Sequence, residues 1–160
     1  MIPTKNDLAE GIRSKVIDLL QARLADAIDL QTQCKQAHWN VRGPSFFSLH
    51  QLFDEVNEAV EEYVDDLAER LVQLGGHAEG TVRSVAKRST LAEYPAGTVR
   101  GLDHVAALST ALALFGKQVR ASIDAADELR DKDTADLFTE VSRGIDKWLW
   151  MVEAHGQADR

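Results

Sequence analysis

The stretch that decides the fold is residues 37–55, AHWNVRGPSFFSLHQLFDE. It places His38 and His50 on either side of an Arg-Gly-Pro turn, with Asp54 one helical turn beyond the second histidine. Gly43-Pro44 ends any helix that precedes it, and apolar positions recur at helical spacing on both sides. Two imidazoles and a carboxylate at such a corner have the chemistry of metal ligands, but they are too few for a closed site.

Upstream, Leu8, Ile12, Val16, Leu19, Leu20, Leu24, Ala27, Ile28 and Leu30 predict a first helix ending near Trp39. Downstream, a second helix is expected from Ser45 or Ser48, since Ser48 and Gln51 have capping-box spacing, to the stop at Gly75-Gly76. Residues 77–98, HAEGTVRSVAKRSTLAEYPAGT, lack a sustained period and read as a long connection with a short helix of its own. The period returns from Gly101 through Leu102, Val105, Leu108, Leu112, Phe115, Val119 and Ile123. It breaks in RDKDTAD, where Asp133 or Thr134 is the expected cap of a last helix through Leu137, Val141, Ile145, Leu149 and Val152. No strand-like alternation competes. The expectation is one all-α domain over residues 1–160, a four-helix bundle with a long crossover between helices 2 and 3, which is ferritin-like connectivity. A plain up-and-down bundle would have a short middle loop.

Composition narrows the function. The chain is 44% hydrophobic and 28% charged over 160 residues, as a water-soluble domain with a sizeable core requires. Its single cysteine, Cys34, cannot form an internal disulfide. The opening MIPTKNDLAEGIRSK has no apolar targeting segment and no run is long enough to span a bilayer, so a cytoplasmic protein is expected. A net charge of −8 opposes a nucleic-acid surface, which needs clustered Lys and Arg, and favours cations.

The second helix explains the missing ligands. At about 100° per residue, His50, Asp54, Asp65 and Glu69 fall within an arc of about 100°, while Leu52, Val56, Ala59, Tyr63, Leu67, Leu71 and Leu74 gather opposite. The acidic stripe therefore faces away from the subunit's own core. Bundles that hold a di-iron centre internally point Glu and Glu-x-x-His ligands inward, and Glu-x-x-His occurs nowhere here. Asp54 and Asp65 are also roughly 16 Å apart along the axis, too far to share one cluster. A second copy of the helix, antiparallel about a two-fold axis, removes the difficulty. His50 then lies opposite Glu69 when Asp54 lies opposite Asp65, because both pairs share a midpoint at Ala59–Val60. Each of two identical sites would take His50 and Asp54 from one chain and Asp65 and Glu69 from the other, with His38 completing the first half. Mixed imidazole and carboxylate ligands suit iron, manganese or zinc. Glu58 and Glu61 add to the stripe, so bound cations would relieve repulsion at the contact. The competing reading is a solvated charged face.

The run AHWNVRGPSFFSLHQLFDEVNEAVEEYVDDLAERLVQLGG resembles the signature of the Dps family, the miniferritins of starved bacterial cells. The likeness extends through SVAKRSTLAEYP and DTADLFTEVSRGIDKWLWMVEAH, nearly the whole chain. The resemblance implies that His38, His50 and Asp54 are the ferroxidase ligands of one subunit, and Asp65 and Glu69 those of its two-fold mate. It also implies a hollow homo-oligomeric shell, a dodecamer, that binds Fe(II), oxidises it with hydrogen peroxide or more slowly with oxygen, and stores ferric mineral. Zinc is a possible substitute in one ligand set.

By the same resemblance Asp131, Asp136 and Glu140 correspond to acidic pores on three-fold axes, the alternative being helix N-terminal acids complementing the dipole. Trp39 adjoins the site as interface packing or a sink for oxidising equivalents, while Trp148 and Trp150 are expected to be structural. Cys34 is expected in the core, and His77, His104 and His155 lack ligand-spaced partners. The alternative function is a nucleoid-associated protein that coats DNA, with iron chemistry secondary. Many relatives bind DNA through a basic extension, whereas the first fifteen residues and the tail HGQADR mix their charges. Direct DNA binding is thus expected to be weak or absent at physiological salt. An electrophoretic mobility shift at neutral pH and moderate salt should leave plasmid unretarded; retardation at low protein concentration would contradict this.

Overall fold

The structure, a computed structural model, describes residues 1–157; positions 158–160, which belong to the mixed-charge tail, lie outside it. Four long helices and one short one follow in order: α1 Glu10–Asn40, α2 Phe46–Gln73, α3 Val82–Arg88, α4 Gly101–Glu128 and α5 Lys132–Gln157. The described residues contain no strand, only an isolated bridge between Arg42 and Arg100. None of these helices is long and apolar enough to cross a membrane. Helix α1 packs on α2 and α4 on α5, the hairpins meet through α1–α4 and α2–α5, and α3 lies on α1. Leu20, Leu24, Leu30, Phe53, Leu67, Leu112, Phe115 and Phe138 are fully buried between them. This is the expected bundle, with the expected crossover and its short helix.

A connection this long would leave backbone groups unpaired unless something bound them. Helix α1 does so with a row of polar side chains. Gln21 exchanges two hydrogen bonds with the Glu79 backbone, and Asp26 accepts from the Thr90 N–H at 2.7 Å. Asp29 accepts from the Ser89 hydroxyl at 2.5 Å, and the Gln33 amide donates to the Ala92 carbonyl at 3.1 Å. Asp26 is fully buried, with Arg23 as counter-ion at 2.9 Å. The crossover is therefore laced along the outer side of α1, leaving the neighbouring face of α2 uncovered.

Three expectations need correction. The capping box at Ser48 does not form: α2 begins at Phe46 after Ser45, and the Ser48 hydroxyl donates to the Ser45 carbonyl. The cap of α5 is Asp131 rather than Asp133 or Thr134. Asp131 accepts from the Thr134 N–H at 3.1 Å and hydroxyl at 2.6 Å, while Arg70 of α2 grips both its carboxylate oxygens at 2.9 and 3.2 Å. Arg130, at φ 62°, makes the left-handed residue that closes α4. Finally, the buried face of α2 runs through Leu49, Phe53, Val56, Asn57, Val60, Leu67 and Leu71, with Leu52 and Tyr63 only partly buried. The core face is thus turned toward Asp54, and the acidic stripe flanks it instead of standing diametrically opposite.

Helix α5 approaches α2 closely at Gly144. A Cβ there would lie 1.9 Å from the Tyr63 hydroxyl, whereas one at Gly11 in α1 would meet nothing within 4 Å. Gly144→Ala should destabilise the chain by about 1–3 kcal/mol, and Gly11→Ala should be neutral or stabilising by up to about 1 kcal/mol. Thermal unfolding of the two variants checks the contrast; equal midpoints would contradict it.

Candidate metal centre

The corner between α1 and α2 is held from several sides. Gly43 takes φ 119°, a region that favours glycine, and lets the chain reverse before Pro44. Arg42 donates its N–H to the Val99 carbonyl at 2.8 Å and accepts from the Gly101 N–H at 3.2 Å, which ties the corner to the start of α4. Beneath it lies His104, wholly buried and joined to the Tyr94 hydroxyl through Nδ1 at 2.6 Å. Burial pushes the His104 pKa down, which favours the neutral imidazole. His104 was visible in the sequence only as an unassigned histidine beside the apolar Val105; nothing there named Tyr94.

His38 and His50 meet across this corner. Their rings stack with centroids 3.7 Å apart and planes 20° from parallel. His38 Nδ1 lies 2.8 Å from the His50 carbonyl oxygen, and His50 Nδ1 lies 2.9 Å from the His38 carbonyl oxygen. A carbonyl can only accept, so both Nδ1 atoms carry hydrogen. In the neutral rings both Nε2 atoms then keep free lone pairs, the state a metal ion requires. The His38 carbonyl belongs to the last turn of α1, whose carbonyls lack helical donors, and the His50 ring supplies one.

Asp54 completes the group. Its Oδ1 is 3.9 Å from His38 Nδ1 and receives a 2.6 Å hydrogen bond from Lys35 Nζ. Lys35 holds the Asp54 carboxyl below the ordinary carboxylate range. Sequence reasoning missed Lys35; its position one turn before His38 on α1 was the available signal. Asp65 and Glu69 are exposed on α2 well along from this corner. Among the described residues no three His, Cys, Asp or Glu side chains of one chain converge closely enough to hold a metal. The structure thus stacks His38 on His50 with Asp54 3.9 Å from His38 Nδ1, a set short of a metal site by itself, and leaves Asp65 and Glu69 further along α2.

The remaining candidates separate clearly. Asp131 is only 2% exposed and engaged by Arg70 and Thr134, whereas Asp136 and Glu140 are exposed on α5. Trp39 is 68% exposed beside His38. Trp148 packs against the core, but Trp150 is exposed, so only the first supports this subunit's own packing. Cys34 is buried with its thiol pushed up to about 12 by desolvation, a core residue as expected. His77 is exposed, and His155 bonds its own helix at Met151.

The chain as a whole has counterparts among known proteins. Residues 17–160 match the Ferritin-like domain family. The DNA protection during starvation protein of Agrobacterium fabrum is 43% identical over 154 residues, covering 96% of this chain and 95% of that protein. The chain belongs to the Dps family. Among solved structures, Dps from Mycobacterium smegmatis is similar with a TM-score of 0.93 at 32% identity, covering 99% of this chain and 90% of that one. Dps from Microbacterium arborescens, in a high iron form, has a TM-score of 0.86 at 32% identity, covering 95% and 97% of the two chains.

Proposed function

We propose that this Dps is a ferroxidase and iron store whose catalytic centres form between two-fold-related subunits. The observation that carries the reading is the reciprocal His38–His50 pair, which leaves both Nε2 lone pairs free, with Asp54 Oδ1 3.9 Å from His38 Nδ1 and, among the described residues, no three such side chains of one chain converging on a metal. Packed antiparallel on a second copy, α2 would bring the partner subunit's Asp65 and Glu69 to the same place. The exposure of both residues suits that role. Two imidazoles and three carboxylates make a donor set matched to iron, which enters here as substrate. A relative solved in a high iron form supports the same choice, and the relatives give zinc no support.

In this site each residue has a definable task. His38 and His50 bind through Nε2 while their Nδ1–H groups, tied to carbonyls, keep the rings from turning. Asp54, Asp65 and Glu69 supply negative charge that favours the ferric over the ferrous state. Two ferrous ions held together give one electron each to one molecule of hydrogen peroxide, so its O–O bond is cleaved without release of hydroxyl radical. Oxygen would serve as a slower oxidant. Hydrolysis of the ferric product releases protons and gives mineral, which a hollow shell, a dodecamer on the family resemblance, would retain. Asp136 and Glu140 are the acids we assign to the uptake path, with Asp131 given to the α5 cap.

The relatives' name speaks of DNA protection. For this chain, with its net charge of −8, we place that protection in the removal of Fe(II) and peroxide from the cytoplasm and not in coating DNA. The test is anaerobic mixing of Fe(II)-loaded protein with peroxide, followed by ferric absorbance. His50→Ala and Glu69→Gln should each slow the reaction by roughly 100-fold, about 2.7 kcal/mol in the barrier. Wild-type rates in both variants would overturn the assignment.

A further inference from the structure

Resting on that reading of the site, the geometry points to Phe47 as an apolar plug that enters a recess beside Glu69 on the partner's α2 and closes the outer end of each shared centre to water. Phe47 precedes His50 by three residues and Val72 follows Glu69 by three, so each continues the ligand stripe of α2 by one turn. The stripe is acidic in its middle and apolar at its two ends, where Phe47 is 68% exposed and Val72 51%. Phe47 and Val72 also share its midpoint at Ala59–Val60. An antiparallel copy that sets His50 against Glu69 therefore sets Phe47 against Val72, once at each end of the contact.

The receiving surface suits a ring. Ala68, Glu69, Val72 and Gln73 line a recess of about 400 Å³, in which Ala68 is small and partly buried. Phe46 already lies against the His50 imidazole, with ring centroids 5.1 Å apart. Phe47 seated in the partner's recess would add apolar cover at the same end of the centre and displace water from around His50 and Glu69. A carboxylate shielded in this way attracts a metal ion more strongly, because less water screens its charge. The apolar ends also supply attraction between the two helices that the acidic middle of the stripe lacks.

Two measurements on the assembled protein test the contact and the seal separately. Phe47→Cys combined with Val72→Cys should give a covalent dimer on mild oxidation, since a disulfide joins only adjacent positions; Cys34 is buried and does not compete. Either cysteine alone would face its own copy roughly 38 Å away along the paired helices, beyond bridging. No dimer from the double variant, or as much from either single one, would overturn the contact. Cobalt(II) loaded into the centres and drawn off by EDTA reports the seal. Phe47→Ala should lose cobalt about tenfold faster than wild type, and Phe47→Leu, which refills the recess, at nearly the wild-type rate. Val72→Ala widens the recess, should also lose cobalt severalfold faster, and serves where Phe47→Ala fails to assemble. Wild-type loss from the alanine variants, with the crosslink formed, would overturn the plug and leave the shared centre standing. If His50→Ala held cobalt as wild type does, the centre would fall and the plug's role with it.

Discussion

Two imidazoles that donate to each other's backbone carbonyls are the constraint on which the rest of this structure turns. The exchange spans the α1–α2 corner, so it ties the two helices together and sets which nitrogen of each proposed ligand carries hydrogen. A histidine free to rotate would offer metal either nitrogen or neither. Here only Nε2 is available on both rings, whose centroids stack 3.7 Å apart. The same bonds satisfy a carbonyl in the last turn of α1 that the helix itself cannot, so the requirements of fold and ligand coincide.

The corner stays in place because the crossover is bound elsewhere. Gln21, Asp26, Asp29 and Gln33 lace it to α1, and Arg42 joins its far end through backbone bonds. With the crossover confined there, the acidic stripe of α2 remains open. A helix face carrying Asp54, Glu58, Glu61, Asp65 and Glu69 has too little apolar surface to pack on its own subunit. The stripe is symmetric about its centre, and on the proposed reading a second copy would supply at each end what the first lacks.

Much of this was legible in the residues. Four helices, the crossover with its short helix, and the start of α4 at Gly101 follow from hydrophobic period and Gly/Pro punctuation, which act locally. What escaped the sequence was decided by distant partners. Asp131, Asp133 and Thr134 are all competent caps; Asp131 serves because Arg70, 61 residues earlier, grips it. Ser48 loses its capping role because the turn at Gly43 starts the helix sooner. The core face of α2 is rotated toward Asp54 because Phe53 and Val60 are buried in the bundle, a choice that a helical wheel leaves open. Lys35, Tyr94 and the stacking of His38 on His50 depend on side chains meeting across elements, which spacing along one chain does not encode. For the candidate site, spacing put His38, His50, Asp54, Asp65 and Glu69 forward, and the structure adds the carbonyl contacts that set the tautomers of the two histidines.

The most direct measurement mixes two disabled subunits. One carries His38→Ala and His50→Ala, the other Asp65→Asn and Glu69→Gln; each alone should be inactive. Reassembled in equal amounts, they form two-fold pairs in which mixed partners hold one complete centre and one left with Asp54 alone. Centres shared between chains predict recovery of about a quarter of the wild-type rate of Fe(II) oxidation by peroxide. A mixture no more active than its parents would contradict the shared centre.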